Sequence, residues 1–87
     1  MPLNFMNLYY ISQHVNNGYD TYSAAVVAAE TPKAARMIHP GGYLDWNGTE
    51  IEYDGSWASA ADVNVKLIGK AILGAKAGIV LSSFHAG

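Results

Sequence analysis

Asn16-Asn17-Gly18 sits between two runs of strand-forming residues, Leu8 to Val15 (LYYISQHV) and Tyr22 to Ala29 (YSAAVVAA). Asn and Gly tolerate the positive φ that tight hairpin turns need, so this pattern is a strong short-range signal for an antiparallel hairpin. It constrains the first third of the chain to two neighbouring strands of one sheet. Tyr19-Asp20-Thr21 lengthens the connection beyond two residues, which predicts a bulge or an ordered loop there.

A helix follows. Thr31 can cap free backbone N–H groups, and Pro32 suits the first helical position, where its missing donor costs nothing. Ala34, Met37 and Ile38 then fall at the i, i+3, i+4 spacing of one apolar stripe, with Lys33 and Arg36 left toward solvent. Pro40 disfavours helical geometry at His39, and Gly41-Gly42 ends the element after about two turns. A helix this short needs a sheet to pack on.

From Gly41 to Trp57 the chain mixes Gly, Asn, Asp and Glu with aromatic residues, and a second Asn-Gly at Asn47-Gly48 suggests a small hairpin over 43–54. Ser59-Ala60-Ala61-Asp62 fits a turn of the capping-box kind. Val63, Val65 and Leu67 alternate with Asn64, Lys66 and Ile68, the pattern of a half-buried strand. After Gly74-Ala75-Lys76-Ala77-Gly78, Ile79 to Phe84 reads as a last strand. The order strand, strand, helix, insert, strand, strand predicts a small two-layer α+β domain: an antiparallel sheet of about four strands with one short helix.

At 87 residues the chain is expected to form a single domain, 1–87. Its charged share is 14%, against roughly 25% in an ordinary globular domain, and its apolar share is 51%. Part of that apolar surface is expected to lie against a target or a second copy, a dimer being the simplest homo-oligomer. With no cysteine, disulfides, thiolate metal sites and cysteine nucleophiles are excluded together. The start Met1-Pro2-Leu3-Asn4-Phe5-Met6-Asn7 lacks the basic and long apolar regions of a signal peptide, and no apolar run reaches 18 residues. The expectation is a cytoplasmic protein without a membrane span. The formal charge of −2 and five scattered basic residues argue against direct nucleic-acid binding, which draws on clustered cations.

His14, His39 and His85 lie 25 and 46 residues apart and share no local ligand spacing, so structural roles are expected of them and no metal site. Asp45, Glu50, Glu52 and Asp54 gather four of the seven acids within ten residues with no cation among them. They read either as a face aimed at a basic partner or as a solvated loop. Tyr43, Trp46, Tyr53 and Trp57 interleave with them and are of the type that anchors interfaces. Tyr19, Asp20 and Tyr22 form a second polar and aromatic cluster, which reads as a turn or as a stacking and hydrogen-bonding site for a base-like ligand. No nucleophile elbow, phosphate loop, dinucleotide fingerprint or zinc-protease motif occurs, and neither an enzyme nor a cofactor is expected.

The segments LYYISQHVNNGYDTYSAAVVAAE (8–30), ARMIHP (35–40) and VLSSFHAG (80–87) together resemble a group of small accessory proteins of tailed bacteriophages. The resemblance touches both ends of the chain and carries no catalytic residues. It implies a phage gene product made in the cytoplasm of the bacterial host. Small phage proteins of this size frequently block host defences or redirect host enzymes, so the first expectation is a stoichiometric, anti-CRISPR-like inhibitor of a host defence protein or complex. A sponge for a nucleotide immune signal and a structural or assembly accessory protein are the alternatives.

Overall fold

The computed structural model describes residues 6–15, 21–42, 46, 48, 57–71 and 76–85, with the backbone alone at 82–85. Four strands, β1 (Asn7–Ser12), β2 (Thr21–Ala29), β3 (Asn64–Lys70) and β4 (Gly78–His85), form one antiparallel sheet in the order β3-β1-β2-β4. A short helix, α1 (Pro32–Arg36), and a 3₁₀ turn (Ala60–Asp62) complete the regular elements among these residues. The architecture is the small four-stranded antiparallel sheet with one short helix that the residue pattern predicts, and sheet predominates.

The hairpin signal is realised as β1 and β2, paired antiparallel from Asn7↔Ala29 to Ser12↔Ala24. The turn residues 16–20 lie outside the described residues. β1 stops at Ser12, short of the predicted Val15, because Gln13 turns its side chain into the structure. Its Nε2 donates to the Tyr22 carbonyl at 2.8 Å and its Oε1 accepts from the Val15 N–H at 3.0 Å. Gln13 is buried, and these bonds supply the partners a buried amide needs.

β3 lies on the far side of β1, and β4 on the far side of β2. β2 and β3 therefore run the same way with β1 between them, and the segment carrying α1 crosses the sheet to link them.

α1 begins as predicted: the Ala34 N–H donates to Thr31 Oγ1 at 3.1 Å, and Pro32 occupies the first turn. It is shorter than two turns. The Met37 N–H donates to the Ala34 carbonyl and the Ile38 N–H to that of Ala35, both at 3.2 Å, so the chain tightens into i→i+3 bonds as it nears His39-Pro40. The buried stripe also departs from Ala34, Met37 and Ile38. Ala35 is fully buried and Ile38 partly so, whereas Ala34 and Met37 are exposed. Three residues per turn bring Ala35 and Ile38 onto one line.

One core lies between the sheet and this helical side. Cross-strand partners Tyr9 with Val27 and Ile11 with Ala25 supply the sheet face. Ala35, Trp46, Trp57, Ala60 and Val63 cover it. Small side chains on β2 and at Ala35 leave room for Trp57, 1% exposed, and a buried indole removes roughly 150–250 Å² from water. Val63 and Val65 keep the inward side predicted for them, but Leu67, in the same alternation, is 61% exposed. A five-residue helix is about 7.5 Å long, against roughly 23 Å for the seven residues of β3, and leaves much of this edge strand uncovered.

Candidate functional site

Among the described residues, His39 connects the rings of two sequence-derived candidates, Tyr22 and Trp46. A register shift against β4 between Tyr22 and Ala24 marks a bulge, a device that re-aims side chains, and Tyr22 packs against the core from there. Its ring meets His39 edge-on at 6.2 Å, and His39 meets Trp46 edge-on at 5.3 Å. His39 is itself buried, and its Nδ1 accepts the Gly41 N–H at 2.8 Å. A nitrogen that accepts carries no proton, so the ring is the neutral imidazole. The histidine therefore acts structurally, tying the end of the helical segment to β2 and to the insert.

Trp46 and Trp57 correct the expectation that the insert's tryptophans present themselves to a partner. They are 5% and 1% exposed and belong to this chain's own core. The indoles were read as interface anchors from their acidic neighbours; they instead join the core cluster that holds Tyr9, Ile11, Val27 and Val63. Tyr22 is half-buried. Tyr19, Asp20, Tyr43, Asp45, Glu50, Glu52, Tyr53 and Asp54, with the hairpin expected over 43–54, lie outside the described residues. From the insert, the Gly48 carbonyl accepts the Ala60 N–H at 2.8 Å, which ties it to the 3₁₀ turn. At that turn the Ser59 hydroxyl donates to the Asp62 carboxylate at 3.1 Å.

What sequence reasoning missed is aliphatic. Leu67 and Ile68 on β3, with Ile79, Val80 and Leu81 on β4, are exposed by 61, 49, 37, 60 and 67%. Each group flanks a register shift, at Leu8/Tyr9 against β3 and at Val26/Val27 against β4. The signal was the consecutive apolar run itself: a strand buried on one face alternates, so three successive aliphatic residues must leave at least one outside.

Beside the start of β4 is an open cleft of about 200 Å³, lined by Met37, Ile38, His39, Gly42, Ala77, Gly78 and Ile79. Gly42 and Gly78 have φ of 86° and 141°, and a Cβ added at either would meet no heavy atom within 4 Å. Among the described residues no group of three or more His, Asp or Glu is placed to hold a metal ion, and no helix is long and apolar enough to cross a membrane.

Comparisons with protein-family models, with curated proteins and with solved structures find no match to this chain.

Proposed function

We propose that this chain is a non-catalytic protein-binding factor of a tailed bacteriophage, an anti-CRISPR-like stoichiometric inhibitor that occludes a host defence protein or complex. The observation that carries the binding part is the set of exposed aliphatic side chains on the two edge strands, Leu67, Ile68, Ile79, Val80 and Leu81. The two groups lie on opposite edges with β1 and β2 between them, and exposed aliphatic surface of this kind on a chain with 14% charged residues supports an interaction role for each edge. The host-defence part follows from the phage resemblance. Asp45, Glu50, Glu52 and Asp54 supply the charge that would steer such a surface toward a basic target.

The nucleotide-sponge alternative gains little from the cleft. Its volume of about 200 Å³ is below the ~300 Å³ at which small-molecule sites begin, and no lysine or arginine lines it.

The test is phage plating on bacteria that carry a defined CRISPR system and express this chain or its Leu67→Glu/Ile68→Glu variant. The expected result is restored plating with the wild type, a stoichiometric complex with a component of that system, and loss of both in the variant. Unrestored plating on every defence-carrying host tried would sink the reading, and recovery of the chain in purified virions would favour the structural alternative.

A further inference from the structure

We propose that the sheet face opposite the helix is a self-recognition surface, on which two copies of this chain stack face to face about a two-fold axis running along the strands between β1 and β2. The inference does not rest on the host-defence reading, because it concerns only this chain's contact with itself.

Side chains alternate along a strand, so the residues between the core positions Tyr9, Ile11, Ala25 and Val27 point away from the core. Leu8, Tyr10, Val26 and Ala28 therefore share the opposite face. The registers extend that face to both edges: Lys66 pairs with Tyr10, Tyr10 with Val26, and Val26 with Leu81, one row across all four strands. Ala35 of α1 and Ala60 of the 3₁₀ turn belong to the core side, and among the described residues no helix lies on the other. Tyr10 and Leu81 are exposed there by 42 and 67%. A solvated sheet face ordinarily carries polar residues at these alternate positions, whereas this row holds a single charge, on Lys66.

The division of size over the central strand pair is what selects a second copy as the occupant. On this face β1 carries the longer side chains, Leu8 and Tyr10, and their register partners on β2 are the shorter Ala28 and Val26. A two-fold axis between the two strands lays β1 of one copy over β2 of the other. Each Tyr10 then faces the other copy's Val26, and each Leu8 the other copy's Ala28, so the contact is isologous. Long over short is what two sheets about 10 Å apart need to fill the space between them. The outer strands follow. β3 lies over the other copy's β4, where the stem of Lys66 covers Leu81 while its ammonium reaches water past the edge. The other axis that stacks these faces runs across the strands and lays β3 over β3, bringing Lys66 toward Lys66, a like-charge contact that disfavours it.

The area is of the order such a contact needs. Four strands at a spacing of about 4.8 Å make the face about 19 Å wide, and strands of six to nine residues make it about 25 Å long. Two copies then bury about 950 Å² of flat area, close to the ~1,000 Å² that a specific interface should clear, and side chains standing off the sheet add to it. An interface at this lower bound is reversible, with a dissociation constant on the order of 100 μM.

Sedimentation equilibrium on the full chain tests this, with Tyr10→Glu, Leu81→Lys and Leu81→Glu on the stacked face and Leu67→Glu, whose register partner Tyr9 is a core residue, as the control. The expected result is a wild-type mass that rises from 9.3 kDa toward twice that value with concentration, a constant monomer mass for Tyr10→Glu, and wild-type behaviour for Leu67→Glu. Leu81→Lys sets a lysine against the other copy's Lys66 and Leu81→Glu sets a carboxylate there, so the Glu variant should dimerise several-fold more tightly than the Lys variant at low salt, with the difference fading at high salt. Circular dichroism identifies any variant that fails to fold, and the remaining variants of the face then decide. Amide shifts that change on dilution should map to Leu8, Tyr10, Val26 and Leu81. A wild-type monomer at about 1 mM, ten times the expected constant, overturns the proposal, as do a dimer that Tyr10→Glu leaves intact and equal losses from Leu81→Lys and Leu81→Glu.

Discussion

The Gln13 side-chain amide donates to the Tyr22 carbonyl at 2.8 Å, from a residue only 1% exposed. The same side chain accepts the Val15 N–H, so one glutamine ties the turn end of the central hairpin as both donor and acceptor. Replacing Gln13 by Ala strands both backbone groups away from their partner. A loss of about 1–3 kcal/mol is expected, read as a lower denaturant midpoint at unchanged slope. Replacement at no cost would mean that water serves these groups equally well.

The burial of Trp57 separates a core role from a binding role. Trp57→Ala should cost about 3–5 kcal/mol and leave most molecules unfolded, since a domain of this size has little stability to lose. Trp57→Phe should retain the fold with a lowered melting temperature. If Trp57→Ala melts like the wild type and loses only a partner, the indole belongs to an interface.

Neutralising Asp45, Glu50, Glu52 and Asp54 to Asn or Gln probes the acidic stretch without touching the core residues. Target association should slow by about tenfold at low salt and lose most of its salt dependence, as measured by stopped-flow or surface-based kinetics. Unchanged rates and unchanged protection of phage would mark the stretch as solvated loop.

Local chemistry was legible in the sequence and long-range placement was not. Thr31 and Pro32 announce a helix start because capping acts within three residues, and Asn17-Gly18 announces a hairpin because turn geometry is equally local. The helix end was overrun because i→i+3 tightening at Met37 leaves no mark in residue type. Strand order depends on which strands find each other across some 55 residues, as β1 and β3 do, and no residue in either names its partner. Leu67 matched the inward alternation, yet its exposure is set by how far α1 reaches. Trp46 and Trp57 were misread for the same kind of reason, since the core they join is assembled from residues of other segments. The role of His39 rests on contacts that include Tyr22 on β2 and Trp46 in the insert, which the residues beside it do not announce.

The order β3-β1-β2-β4 has a kinetic meaning. The central pair closes a short loop, while each outer strand joins only after a much longer loop has closed, and loop closure is slower and entropically costlier as loops lengthen. Folding should thus grow outward from the β1–β2 hairpin, with the outer strands added last and released first. The newest part of each folded molecule is then its most apolar margin, so time spent half-assembled, more than the finished fold, sets how readily these chains stick to one another.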